Sequence, residues 1–253
     1  MITINYGSND IPLLAVGKGW LVVDKPHGMS VHNDAGKDLC SLVSAFTQRE
    51  KDFKKKIDMD SDFGVNPVHR LDKETSGVIL LSVNKDMFRF FSKQFDARQV
   101  KKEYIAILHG LIGNMEKDKT WGTWNWPLGE NAGGRLNPKG SGTLQQSETR
   151  YRILSLSTHY TMVEIELLTG RKHQIRRHAK IAGHPVVGDS RYSSIRAIKY
   201  LKLNFSFDRL ALHSRSITLQ LPNEKKPTTI ETPDISANLK YFFERDRGVP
   251  IIL

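Results

Sequence analysis

Residues His69 to Val83 read HRLDKETSGVILLSV, nine residues, eight of them polar or turn-forming, running straight into an apolar block. Val78 to Val83 is too short for a buried helix and rich in β-branched residues, so it predicts a strand. The residues that follow change period. Met87, Phe88, Phe91 and Phe95 recur at helical spacing and predict the inward stripe of a helix laid on that strand. A carboxylate, Asp72, thus sits in a crowded polar loop just before a core strand, where turn and capping duties compete with chemistry.

The same alternation extends outward. Trp20 to Asp24 predicts a short buried strand ending at the turn Lys25-Pro26-His27-Gly28. Leu39, Leu42, Val43 and Phe46 predict a helix with Asp38 as its N-cap. Tyr104 to Leu108, Met162 to Leu168 and Leu210 to Leu221 predict further strands, the second alternating Val163, Ile165 and Leu167 with Glu164 and Glu166. Ile175, Ala179 and Ala182 set one face of another helix inward, closed by Gly183 with Pro185 beyond. Between Pro127 and Gly142 lie five glycines in no phosphate-loop order, which predicts a long connection or flexible insertion. Trp121, Trp124 and Trp126 precede it and are expected to anchor it to the core rather than stack on bases.

The chain has 253 residues, 39% hydrophobic and 26% charged, with a net charge of +11. That length allows one large domain or two small ones with a sizeable core. No apolar run approaches the roughly 20 residues of a membrane span, and the amino terminus has no signal-peptide pattern. The lone Cys40 forms no intrachain disulfide, so a cytoplasmic setting is expected. The positive excess favours a polyanionic partner. It is local: Arg171 to Lys199 holds eight basic residues and one acidic residue, Asp189, a charge of +7. A second basic stretch, REKDFKKK at Arg49 to Lys56, reads as a solvated loop or helix end.

Within the basic segment runs TGRKHQIRRH, Thr169 to His178. On the helix expected there, Lys172, Arg176 and Lys180 share one face by i,i+4 spacing, while His173 and Arg177 share another. One face can meet phosphates while the other reaches inward. Such a cation is what Asp72 needs to stay ionised when substrate excludes water.

Together these runs resemble the RluA family of pseudouridine synthases. The matching segments are LVVDKPHGMSVH (Leu21 to His32), HRLDKETSG (His69 to Gly77), KKEY (Lys101 to Tyr104), TGRKHQIRRH, GHPVVGDSRY (Gly183 to Tyr192) and RLALHS (Arg209 to Ser214). The likeness covers about residues 13–222, leaving 223–253 as a tail of uncertain role. It implies a single α/β (α+β) catalytic domain over residues 1–253, with a mixed, largely antiparallel sheet and a cleft holding Asp72. It also implies an isomerase without cofactor or metal that cuts the N1 to C1′ bond of a uridine in RNA, turns the uracil, and rejoins it through C5. Asp72 matches the catalytic aspartate, Tyr104 the tyrosine beside the base, and Arg176 the cation paired with the aspartate. Arg70 matches an arginine that fills the stack vacated by a flipped base, a role suited to a planar guanidinium. His69 is grouped with it on the RNA side, and Arg171, Lys172, Arg177 and Lys180 are assigned to phosphates.

The partner implied is tRNA or rRNA, with no membrane and no obligatory protein partner, the enzyme acting as a monomer. No amino-terminal S4-type module is expected ahead of the first matching segment. A non-catalytic RNA-binding protein would explain the charge but gives no reason for Asp72, Tyr104 and Arg176 together. A metal hydrolase using His173, His178 and His184 is disfavoured, since i and i+5 do not align on a helix and no HExxH is present. A serine hydrolase lacks its GxSxG elbow.

Overall fold

The computed structural model describes residues 3–6, 9–113, 120–233 and 235–247. In chain order the first elements are β1 (Thr3–Tyr6), β2 (Asn9–Gly17), β3 (Trp20–Lys25), α1 (Leu39–Arg49), α2 (Lys51–Lys56), β4 (Asn66–Pro67), β5 (Ser76–Ser82) and α3 (Lys85–Asp96). They are followed by β6 (Lys101–His109), β7 (Gly122–Trp124), β8 (Leu128–Asn131), β9 (Ser141–Gln145), β10 (Thr149–Leu156) and β11 (Tyr160–Leu167). The last are α4 (Gln174–Ile181), α5 (Ile195–Phe205), β12 (Leu212–Leu219), β13 (Thr228–Glu231) and α6 (Ala237–Asp246). The class is α+β, and the pairings β1-β2, β2-β3, β3-β5, β4-β5, β12-β13, β6-β11, β10-β11, β7-β10 and β8-β9 are antiparallel. The chain divides into two compact units, Met1–Lys101 with Ser214–Pro233, and Lys102–His213 with Asp234–Leu253.

In the first unit the strands run β1-β2-β3-β5-β12, with β4 beside β5 and β13 beside β12. Every residue of β5 is buried, which is why its sequence is apolar without alternation. It pairs with β3 from Trp20↔Ser82 to Lys25↔Gly77. α3 begins where Asn84 accepts a hydrogen bond from Met87 N at 2.9 Å and places Phe91, fully buried, edge-on to Trp20 at 6.0 Å. Burying a side chain of that size contributes about 2 to 3 kcal/mol. Met87, Phe90 and Phe95 lean on the same cluster, whereas Phe88 turns to Phe63. α1 starts as expected, with the Asp38 carboxylate accepting from Ser41 N at 2.8 Å.

The second unit holds a sheet of order β6-β11-β10-β7 and a separate hairpin, β8-β9. The hairpin corrects the expectation of a structureless connection between Pro127 and Gly142. Its register runs from Leu128↔Gln145 to Asn131↔Ser141, and Gly129, Gly133 and Gly140 stand where another stretch of backbone comes close. Gly140 has φ +73°, and a Cβ there would lie 2.0 Å from Asn131 O, so no other residue fits unstrained. Trp124 is buried and stacked on Tyr151 at 4.5 Å, in line with an anchoring role.

The segment 223–253 is part of the fold up to residue 247. β13 extends the first unit's sheet, and α6 ends in the buried Asp246, whose carboxylate accepts from Ser157 Oγ at 2.6 Å and His159 N at 2.8 Å. Residues 248–253 lie outside the described residues. Among the described residues no helix is long and apolar enough to cross a membrane.

Candidate active site

The first unit contributes a loop, residues 69–75, that leads from β4 into β5. Leu71 is buried and anchors it, and Thr75 N closes a turn on Asp72 O at 3.0 Å. Asp72 is half-buried and is the first residue of this turn. Lys25, which sequence reasoning passed over, lies beneath it with no exposed surface. Its ammonium donates to Pro26 O at 2.9 Å, Met29 O at 2.8 Å and Lys73 O at 3.2 Å. The lysine of the VVDKPHG segment therefore ties the 26–29 turn to the loop that carries Asp72. Arg70 is exposed, with its side chain available to solvent.

The loop enters β5 at Gly77, whose φ is +112°. A Cβ there would lie 2.1 Å from Ser214 O on β12, so the crossing of these two strands requires glycine. Ser214 Oγ in turn donates to Val78 O at 3.1 Å. The motifs HRLDKETSG and RLALHS thus meet at one backbone contact just after the loop.

The second unit contributes Tyr104, buried in β6 opposite Ile165, and the segment around α4. Arg176 is 2% exposed and is held by Asp189, itself fully buried, through Nε to Oδ2 at 2.7 Å and Nη2 to Oδ1 at 2.9 Å. This fork fixes the plane of the guanidinium, as a bidentate pair does. Asp189 Oδ1 also accepts from Arg191 N at 3.0 Å and Tyr192 N at 3.1 Å, and the Tyr192 ring lies 5.4 Å from the Arg176 guanidinium carbon. Asp189 was read from sequence only as the one acid in a basic segment. The signal that could have found it is its place in GHPVVGDSRY, one of the matching motifs.

Gln174 is a second residue that sequence reasoning missed. Its amide oxygen accepts from Thr169 Oγ1 at 2.7 Å and Arg171 N at 3.0 Å, and its nitrogen donates to Glu148 O and Thr149 Oγ1, both at 2.9 Å. All four positions of the amide are used to hold the TGRK turn against β10. The helix opens behind it at His173, whose φ of +54° is left-handed and whose Nδ1 lies 3.0 Å from Tyr192 Oη.

The expected division of this helix into an inward face and a phosphate face is not what forms. Lys172 precedes α4, and Gln174 through Ala179 are all buried. Arg177, assigned to phosphates, has no exposed surface. Its guanidinium donates to Pro138 O at 2.8 Å, Gly129 O at 3.0 Å, Lys172 O at 3.2 Å and also Lys139 O. It is the pin that joins the β8-β9 hairpin to α4, and burial lowers its pKa from the ordinary arginine value. Arg191 grips the same hairpin through Ala132 O and Gly133 O, at 2.8 and 2.7 Å. The physical reason is satisfaction of turn carbonyls, for which a five-donor fork is well suited.

The remaining cations differ in exposure. Lys172 is exposed, Lys180 and Arg171 are half-buried, and Arg171 Nε donates to Gln146 O at 3.2 Å. His69, grouped with Arg70 on the RNA side, is half-buried; its ring stacks on Phe95 at 5.0 Å and its Nε2 accepts from Leu80 N at 3.0 Å, fastening the loop to β5. His178 is sealed between Thr149 Oγ1, Ser147 Oγ and Trp126 O at 3.0, 3.1 and 2.9 Å. Burial pushes its pKa down to about 4.

Chemically, one unit offers a carboxylate on a clamped loop, and the other offers a buried phenol and a guanidinium fixed in direction. Residues 19–180, which include Asp72, Tyr104 and Arg176, match the family model described as RNA pseudouridylate synthase. The chain is 33% identical to tRNA pseudouridine synthase C of Haemophilus ducreyi over 225 residues, covering 83% of this chain and 85% of that one. It is 30% identical to ribosomal large subunit pseudouridine synthase C of Buchnera aphidicola over 215 residues, 85% of this chain but 64% of the relative, so it spans less than two thirds of that protein. Among solved structures it resembles human RNA pseudouridylate synthase domain containing 4, with a TM-score of 0.71 and 26% identity over 93% of this chain and 92% of that one.

Proposed function

The chain belongs to the RNA pseudouridylate synthase family, in its RluA branch, and from that premise we propose that it converts a specific uridine of tRNA or rRNA to pseudouridine through Asp72. The observation that carries the reading is the family match across residues 19–180, which takes in the Asp72 loop, Tyr104 and the α4 segment. An RNA-binding protein without turnover accounts for the charge but leaves that combination without a task.

The reaction is an isomerisation, so its atoms balance without a co-reactant. The N1 to C1′ bond breaks, a C5 to C1′ bond forms, the C5 proton leaves, and N1 gains a proton. Asp72 is the carboxylate that acts beside the ribose, and it must be ionised to do so. Arg176 is the cation assigned to keep it so, with Asp189 fixing the direction of the guanidinium. Tyr104 lies against the base and assists removal of the C5 proton. Arg70 occupies the stack from which the base is extruded, a step that costs a few kcal/mol. Lys172, Lys180 and Arg171 bind phosphates. The enzyme works as a cytoplasmic monomer without cofactor or metal.

Release of tritium from C5-labelled uridine in unmodified tRNA and rRNA transcripts, without free uracil, tests this reading. Absence of release from both pools would refute it. Comparing pseudouridine maps of cellular RNA with and without this gene would then name the target position.

A further inference from the structure

The second unit carries a cavity of about 350 Å³ between the first turn of α5 and the end of the β6-β11 pair. That volume is within the usual range for a small-molecule site, about 300 to 1,000 Å³. Its walls include His109, His159, Tyr160, Ser194, Arg196 and Tyr200, none of them assigned above to the isomerisation.

Polar groups line this space, and some of their hydrogen-bonding capacity is unused among the described residues. The buried His109 Nε2 has no hydrogen-bond partner among the described residues. His159 Nδ1 is committed to Asp246 Oδ1 at 2.8 Å, which orients the ring and leaves Nε2 as its open position. Arg196 is exposed and forms no ion pair among the described residues. Tyr160, 4% exposed and edge-on to His109 at 5.5 Å, and Tyr200, 47% exposed, also line it. Ser194 caps α5 by accepting from Ala197 N at 3.0 Å, so the amides of Ile195 and Arg196 stand at the positive end of an eleven-residue helix.

We propose that this cavity binds one unstacked nucleotide of an RNA chain, its base against the exposed ring of Tyr200 and its phosphate at Arg196 and the first turn of α5. The chemistry selects that ligand class. A flat ring with edge acceptors and donors suits two tyrosines and two imidazoles, and a permanent cation beside a helix N-terminus suits a phosphate. Burial lowers the His109 pKa, so its neutral ring is offered as a hydrogen-bonding edge rather than a second charge. Recognition of splayed single-stranded bases by aromatic rings and cations is the common mode for RNA. The inference rests on the chain being an RNA enzyme, but it concerns residues other than those given a part in the isomerisation.

The test is titration of the full chain with uridine 5′-monophosphate and, separately, with inorganic phosphate, read on the imidazole resonances of His109 and His159. Uridine monophosphate should shift both resonances saturably, and Tyr200→Ala and Arg196→Ala, at exposed positions, should each weaken that binding by about tenfold. Unmoved imidazoles, or variants that bind as tightly as the parent, would overturn the site. Equal affinity for phosphate and nucleotide would reduce it to an anion site and overturn the nucleotide assignment. Tritium release measured in parallel separates the two claims. A protein that turns over RNA but leaves these imidazoles unmoved refutes the pocket alone, and one that binds nucleotide there but releases no tritium refutes the enzyme alone.

Discussion

Arg176 and Asp189 form a buried fork, two hydrogen bonds of 2.7 and 2.9 Å between side chains that are 2% and 0% exposed. Removing one partner of such a pair leaves a buried charge short of two hydrogen bonds. Asp189→Ala is expected to cost about 3 to 5 kcal/mol in urea unfolding, with added loss from the freed amides of Arg191 and Tyr192. Replacing both, as Arg176→Met with Asp189→Leu, should recover most of the stability and none of the tritium release. Recovery of activity in the double variant would show that the fork serves folding only.

Arg177 is expected to behave as a structural pin. Arg177→Ala should destabilise by about 2 to 3 kcal/mol and speed amide exchange in β8 and β9, because the carbonyls of Gly129, Pro138 and Lys139 lose their donor. Lys172→Ala is expected to reduce the slope of log RNA affinity against log salt by about one, whereas a folded Arg177→Lys protein should leave it unchanged. A reduced slope for Arg177→Lys would return that residue to the RNA surface.

His178 makes stability depend on pH. Its folded pKa of about 4 lies below the ordinary histidine value, so the unfolded chain binds the proton first as pH falls. The full contribution is present above about pH 6.5 and is lost progressively down to about pH 4, amounting to about 3 kcal/mol. Urea midpoints between pH 7 and 4 should therefore fall, and His178→Gln should flatten that part of the profile. An unchanged slope in His178→Gln would assign the acid sensitivity elsewhere.

Gly77 is expected to tolerate no side chain. Gly77→Ala places a Cβ on the Ser214 carbonyl at a φ of +112°, and should cost more than about 2 kcal/mol and shift the entry of β5. A thermal midpoint within 2 °C of the parent would show that β12 yields at little cost.

Much of this was readable in the chain itself. The uninterrupted apolar run at Val78 announced a buried strand, and Asp38 and the phenylalanines after Met87 announced helices, because period and cap are local properties. The motifs placed Asp72 on a loop and Arg176 on a helix. What sequence could not supply was the partner of each charge. An i,i+4 rule sorts residues around a helix but does not say whether the second face meets water. On α4 it meets a hairpin whose carbonyls claim Arg177. Nor does spacing reveal that Lys25 donates to the carbonyls of Pro26, Met29 and Lys73, or that Asp189, thirteen residues on, returns to Arg176. The glycines of 127–142 carried no period because they serve contact between two backbones rather than a helix or a phosphate.

The central claim is that Asp72 carries the chemistry. Tritium release from C5-labelled uridine in unmodified RNA, measured for the parent and for Asp72→Asn of matched circular dichroism, tests it most directly. The parent should release tritium without free uracil, and Asp72→Asn should be slower by about a thousandfold while binding the RNA with similar affinity. An unchanged release rate in the folded Asp72→Asn protein would contradict the account.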